Sequence, residues 1–288
     1  MKLSGETVVI TGAGRGIGEA VAHAFAQSGA NLVLLARTRH EVDRVARQTA
    51  ERGVTSIALA GDVSKRPDLQ GMVAATLERF GRIDVLINAA GVYGPIGPFA
   101  RMDLDQWTAA IEINLMGTVF AIHAVLPHML AQRKVVIINF SGGGAVQPLP
   151  YFSAYGTSKA AVVRLTETLA EEVKESGVRI NAIAPGAVNT RLLDQVLAAG
   201  ESAGATFYAK ALEQKENGGT SPERAAELAV FLASPLGQGV TGRLISAVWD
   251  DWKSLPARAS ELGRSALFTL RRIDGRQFRE AGSSAAQQ

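Results

Sequence analysis

Two residues four apart, Tyr155 and Lys159, carry the densest chemistry in this 288-residue chain. They bound the run Tyr155-Gly156-Thr157-Ser158-Lys159, which leads into the helical pattern Ala160-Ala161-Val162-Val163-Arg164-Leu165. Residues four apart lie on one face of a helix, so the two side chains project side by side. A tyrosine ordinarily releases its proton near pH ~10. An ammonium a few ångströms away favours the phenolate and lowers that value. A pair so placed can pass a proton to or from an alcohol or carbonyl oxygen near neutral pH. The spacing by itself also suits an amphipathic helix with an incidental aromatic, so the surrounding elements decide.

Those elements alternate. Thr7-Val8-Val9-Ile10-Thr11 is a short β-branched run and reads as a buried strand of a parallel sheet. Gly12-Ala13-Gly14-Arg15-Gly16-Ile17-Gly18 follows, then a helical pattern from Glu19 to Ser28. Strand, glycine turn and helix form a phosphate cradle, because glycine admits a close pyrophosphate and the helix start offers free N–H groups. The second strand, Asn31 to Ala36, ends in Arg37-Thr38-Arg39 rather than in a carboxylate. An acid there would bind a ribose 2′-hydroxyl. Arg37, with Arg15, suits a 2′-phosphate through forked, charge-assisted bonds. NADP(H) is therefore favoured and NAD(H) stays possible, with both arginines solvated as the alternative.

Further along, Ser56 to Gly61, Ile83 to Ile87, Lys134 to Phe140, Val178 to Ala184 and Gly242 to Val248 read as strands. Helical patterns at His40 to Gly53, Pro67 to Phe80, Asp105 to Leu130 and Tyr155 to about Ser176 separate them, and Ser221-Pro222 starts another. Asn114 sits mid-helix, where its amide competes for backbone bonds, which makes it a candidate for a kink that holds a water. Thr190 to Gly219 is rich in Ala and Gly with weak helical patterning and suits a mobile lid. The expected fold is α/β: one doubly wound Rossmann-type domain over residues 1–250, with a seven-stranded parallel sheet and helices on both faces. Residues 251–288 form a C-terminal extension, helical over Ala257 to Leu270 and polar and disordered from Gly275 to Gln288.

Composition narrows the function classes. A hydrophobic content of 47% fits a compact enzyme and not a disordered chain. A net charge of +3 without a basic block gives nucleic-acid binding little support. The absence of cysteine removes disulfide and thiolate chemistry. His23, His40, His123 and His128 show no zinc-like spacing, so no metal site is expected. No leader precedes the first strand, and no apolar run reads as long enough to span a membrane. A cytoplasmic enzyme is the expectation.

Taken together, Lys2 to Val248 resembles the short-chain dehydrogenase/reductase family, including its 3-oxoacyl-carrier-protein reductases. The resemblance rests on Thr11-Gly12 with Gly16 and Gly18, Asp62-Val63, Asn88-Ala89-Ala90-Gly91, Asn114, Tyr155 with Lys159, and Pro185-Gly186, in the family's order. It implies hydride exchange between a nicotinamide and a small carbonyl or secondary alcohol. Tyr155 would be the acid or base, Lys159 would lower its pKa and hold the nicotinamide ribose, and Asn114 would position a relay water. Gly12, Arg15, Gly16, Ile17 and Gly18 would face the pyrophosphate. Asp62 and Val63 would flank the adenine, and Asn88, Ala89 and Gly91 the ribose side. Pro185, Gly186, Val188 and Thr190 would line the nicotinamide end. A homodimer or homotetramer is implied.

Two features depart from the family. Its catalytic serine falls thirteen positions before the tyrosine, where this chain has Gly142; the nearest hydroxyl is Ser141. Ser141 is expected to stand in, provided the strand ends or bulges at or before it; otherwise the hydroxyl is absent and catalysis is weakened. The piece after Trp249 is also longer than the family's core, and its Trp249, Trp252 and Phe268 would cover the pocket or meet a neighbouring subunit.

Overall fold

The apolar runs pair into one parallel sheet. Its strands are β1 (Thr7–Thr11), β2 (Asn31–Ala36), β3 (Ser56–Ala60), β4 (Val85–Asn88), β5 (Val135–Phe140), β6 (Val178–Ala184) and β7 (Leu244–Ser246). They lie in the order β3-β2-β1-β4-β5-β6-β7. The computed structural model describes residues 1–273. The disordered end expected from Gly275 to Gln288 lies outside the described residues.

Alternate strand residues face opposite sides, and each side is covered. Val8, Ile10, Leu32, Leu34, Val136 and Ile138 belong to one buried cluster, together with helices α1 (Gly16–Gln27), α2 (Arg39–Ala50) and, later in the chain, residues 225–232. Val9, Val33, Leu35, Leu86, Val135 and Ile137 belong to the other, under α3 (Arg66–Phe80) and the helices that follow β4 and β5. Because both faces are buried, the strands read as continuous apolar runs.

The stretch expected as one helix from Asp105 to Leu130 is helical throughout but not uniformly α. It comprises α4 (Leu104–Ile111), a π-helical turn at Glu112–Met116 and α5 (Gly117–Gln132). The π turn falls at Asn114, where a kink was expected from its amide. By length and composition the whole, 29 residues with a most apolar window of mean hydropathy 1.7, could cross a membrane. That corrects the expectation that no run was long enough. Here it packs against the sheet, and 39% of that window is buried.

The Tyr155 helix is α6 (Ser153–Glu172), and it is followed by β6. The expected lid folds as two helices, α7 (Arg191–Ala199) and α8 (Ala205–Asn217), and α9 (Pro222–Ala233) starts at the Ser221 cap. The C-terminal stretch corrects one expectation and removes one of the two roles expected for its aromatics. Its helix is shorter than Ala257 to Leu270: a 3-10 segment at Trp252–Arg258 precedes a six-residue α10 (Ala259–Arg264). Nor does it cover the cavity. Trp252 stacks edge-on against Phe231 of α9 at 5.0 Å and is buried in the same core cluster, against which Phe268 also packs. Arg243, 9% exposed, anchors this stretch by donating to the carbonyls of Leu262, Ser265 and Leu267. Trp249 alone is left outside, 85% exposed.

Candidate active site

The sheet changes winding direction between β1 and β4, and a ligand crevice is expected where strand ends diverge in this way. A cavity of about 520 Å³ lies there, within the usual range for ligand sites. Gly12, Arg15, Gly16, Ile17 and Gly18 line one wall, Arg37, Asp62 and Val63 the side at the ends of β2 and β3, and Ala89, Gly91 and Thr190 the far side.

Several of these positions require glycine. Gly12 has φ +69°, and a Cβ there would lie 2.6 Å from the Ala90 nitrogen. A Cβ at Gly18 would overlap the Gly12 carbonyl. Helix α1 begins at this turn with no side chain capping its N-terminus, so its first N–H groups face the cavity without an internal partner. The glycine turn and the uncapped helix end together fit a dinucleotide pyrophosphate. Thr190 caps α7 by accepting from the Leu192 nitrogen at 3.3 Å. Its methyl would lie 3.2 Å from a Cβ at Gly16, so this residue closes the cavity over the turn.

At the adenosine end, Arg37 is exposed and has no carboxylate partner among the described residues, whereas Arg39 pairs with Asp43 at 2.8 Å. Arg15 is held by Glu41 at 3.1 Å. Glu41 also lines the cavity, and sequence reasoning missed it. Its position in the first turn of α2 was the available signal. Arg44 was missed as well; it donates to the Gly14 carbonyl at 3.1 Å and to Glu19 at 2.6 Å, fixing the glycine loop from behind. Asp62 accepts from the Ser64 nitrogen and hydroxyl, which orients the turn after β3.

Asn88 is a correction. It is 4% exposed and does not line the cavity. It sits in register with Asn139 on the neighbouring strand and donates to it at 2.9 Å; Asn139 in turn donates to Thr166 of α6. The side chain ties sheet to helix instead of reaching a ribose. Pro185, Gly186 and Val188 also lie outside the cavity lining. Gly186 has φ +86° and is packed against Val248, and Val188 bridges to Thr220.

Tyr155 and Lys159 lie one turn apart on α6, 8% and 5% exposed. The Lys159 ammonium donates to the Phe140 carbonyl at 2.8 Å and lies 5.7 Å from the Tyr155 ring centre. Neither is among the residues that line the cavity, but a Cβ at Gly91 would be 3.4 Å from Lys159 Nζ, so the lysine abuts its wall. Burial brings its pKa down from 10.5 to about 8. Tyr155 moves opposite to the sequence expectation: its pKa is raised, first by burial and then by the nearby Tyr93. The lysine does not lower it here because its charge is directed at a backbone carbonyl and both groups are desolvated.

Asn114 is fully buried and acts as a clamp. Its Oδ1 accepts from the Val92 nitrogen, and its Nδ2 donates to the Val92 carbonyl and to the Ser158 hydroxyl, all within 2.9 Å. The π turn and the loop after β4 are locked together by this one amide, and that loop sets Tyr93 edge-on to Tyr155 at 4.7 Å.

The reading of Ser141 fails. β5 does end at Phe140, as that reading required, but the Ser141 nitrogen still donates to the Ile183 carbonyl at 2.8 Å and holds the residue in extended register. Its hydroxyl, 3% exposed, donates to the Lys159 carbonyl at 3.2 Å. Extended register turns successive side chains to opposite faces, and Ser141 is spent on the helix backbone. At Gly142, a Cβ would overlap the Tyr155 hydroxyl oxygen. The tyrosine tip thus occupies the space a serine there would use.

The comparisons with known proteins agree with this geometry. The short chain dehydrogenase family profile matches residues 6–200. The chain belongs to the short-chain dehydrogenase/reductase family of oxidoreductases. It is 37% identical over 265 residues to the oxidoreductase UcpA of Salmonella typhimurium, covering 90% of this chain and 98% of the relative. Its fold is similar to that of an NAD+-bound xylitol dehydrogenase, with TM-score 0.80 and 28% identity over 85% of this chain and 98% of the other. It is also similar to an actinorhodin polyketide ketoreductase variant crystallised with NADPH, with TM-score 0.78 and 27% identity over 85% of this chain and 97% of that one. As an oxidoreductase of this family it has an NAD(P)-binding fold and acts on small molecules.

Proposed function

We propose that the chain is an NADP(H)-dependent oxidoreductase that interconverts a carbonyl and a secondary alcohol. The observation that carries this reading is the buried tyrosine–lysine pair, whose lysine abuts Gly91 in the wall of a glycine-lined cavity that fits a dinucleotide. When bound, the nicotinamide supplies or takes the hydride. Tyr155 gives a proton to the carbonyl oxygen at its Oη, or takes one from the alcohol. Its raised pKa keeps it protonated at neutral pH, the form that carbonyl reduction needs. Lys159, held by the Phe140 carbonyl beside Gly91, is placed to hold the nicotinamide ribose. Asn114 holds the loop that carries Tyr93 against the π turn, and its own carbonyl accepts from the Thr118 hydroxyl at 2.9 Å, so a relay water there would have to share that acceptor.

The preference for NADP(H) rests on Arg37, unpaired among the described residues at the adenosine end, with no acid closing β2. A second reading, NAD(H) dependence, is favoured by Glu41, which occupies Arg15 and brings a carboxylate to the same end. Relatives of known structure hold either cofactor. Separate titrations with NADPH and NADH decide between them; equal affinities would overturn the preference. A carbonyl and alcohol panel followed at the nicotinamide absorbance tests the activity, and no turnover in either direction would leave a nucleotide-binding protein weakened at Gly142. We also propose a homodimer or homotetramer, supported by the apolar, partly exposed helix at Leu104–Gln132. A monomer in light scattering at micromolar concentration would contradict it.

A further inference from the structure

Tyr155 is packed among rings. Tyr93 meets Phe152 at 5.1 Å and Tyr155 at 4.7 Å, and Phe152 meets Phe207 of α8 at 4.7 Å. Leu193 and Val196 of α7 complete this cluster, 7% and 1% exposed. Of the charged side chains of α7 and α8, Arg191 lines the cofactor cavity and Asp194, Lys210, Glu213, Lys215 and Glu216 are exposed. None belongs to the ring cluster around Tyr155. The lid is jointed at Gly200 and Gly204, with φ +55° and +83°, and the Tyr151 ring covers Gly204.

A substrate that reaches Tyr155 must part these rings and take their place. An apolar molecule restores the burial that was lost. A polyol or a carboxylate would lose its water and find no partner, since the hydroxyls of Tyr93 and Tyr155 are the polar side-chain groups in the cluster. We infer that the substrate is an uncharged, ring-bearing apolar ketone or its secondary alcohol, held between Tyr93, Phe152 and Phe207 beneath the lid. This rests on the carbonyl-reducing role assigned to Tyr155 above.

The test uses the full chain with NADPH and three carbonyls: a bicyclic ketone such as 2-decalone, cyclohexanone and the polyol ketone xylulose. The expected kcat/KM is at least tenfold higher for 2-decalone than for cyclohexanone, and lowest for xylulose. Phe207→Ala should raise KM for 2-decalone about tenfold with little change in kcat, and Phe207→Leu should recover most of the loss. Calorimetry of each ketone with the NADP+-loaded protein gives a readout independent of turnover. Binding of 2-decalone without reduction would sink the reductase reading and leave the pocket's class standing. Tighter binding or faster turnover of xylulose would overturn the inference, as would failure of 2-decalone to bind.

Discussion

The two halves of the site are built from different materials. The cofactor half is backbone: a glycine turn, an uncapped helix start and strand ends, pinned by Arg44 and Asp62, with a cavity already open. The substrate half is side chain: rings and aliphatic residues folded onto Tyr155, with little open space. A dinucleotide's phosphates can be met by fixed N–H groups, so that half can be preformed. Apolar surfaces left open to water cost free energy, so the other half stays shut until something apolar replaces the contacts. Tyr155 lies on the seam and takes its buried character from the closed half.

Removing the proton handle should break the seam most severely. Tyr155→Phe keeps the ring packing against Tyr93 and deletes only the hydroxyl. Turnover should fall on the order of a thousandfold, within the usual range for a general acid, while the NADPH dissociation constant, read by fluorescence titration, changes little. Substantial residual turnover would end the mechanism. Next in size is Gly142→Ser, which restores the family's residue. In this fold its Cβ meets the Tyr155 hydroxyl, and Tyr155 cannot retreat through Tyr93 and Phe152 without disturbing the rings. We expect turnover to drop roughly tenfold or more, since small misplacements of reacting groups are costly. Increased turnover would show that the glycine is a simple loss.

These cases mark what the sequence could and could not convey. The bounds of β1, β2 and β6 follow from short apolar runs ended by glycine, proline or polar residues, and the cradle follows from backbone rules that few residue types satisfy. The direction of Ser141 turned on whether a ladder bond to Ile183 persists, which no local pattern encodes. Glu41 was overlooked because its partner Arg15 is 26 residues away. Asn88 was given to the ribose because its pairing with Asn139 arises from strand register across 51 residues. The lid's pattern is weak because α7 and α8 bury only a thin apolar stripe, Leu193, Val196 and Ala211, and most of the rings it meets come from other segments.

The cofactor half can be broken separately. Arg37→Asp removes a charge-assisted contact of roughly 1.5–3 kcal/mol and adds repulsion toward a 2′-phosphate. NADPH affinity should weaken by about ten- to a hundredfold and NADH affinity should hold or improve, both read by titration. Parallel losses for the two cofactors would mean that Arg37 does not read the phosphate.

The smallest effect concerns the seam's lysine. Lys159 has a folded-state pKa of about 8 against 10.5 for the free side chain. Between those values the unfolded chain holds a proton that the folded protein has released, so stability rises as pH rises through the window. At neutral pH the folded state carries the full burden of a buried charge; by pH ~9.5 most of it has gone. The gain from this group is about 2 kcal/mol, taking 1.36 kcal/mol per pKa unit. Tyr155, whose pKa lies above 10, does not oppose the trend until higher pH. Lys159→Met should abolish this component. Chemical denaturation of the cofactor-free protein at pH 7 and 9.5 therefore should show a larger stability increase in the wild type than in the variant. Equal increases would mean that the ammonium is already compensated in the folded state, by the Phe140 carbonyl and by water entering from the cofactor cavity, and that the lysine belongs to the open half rather than the closed one.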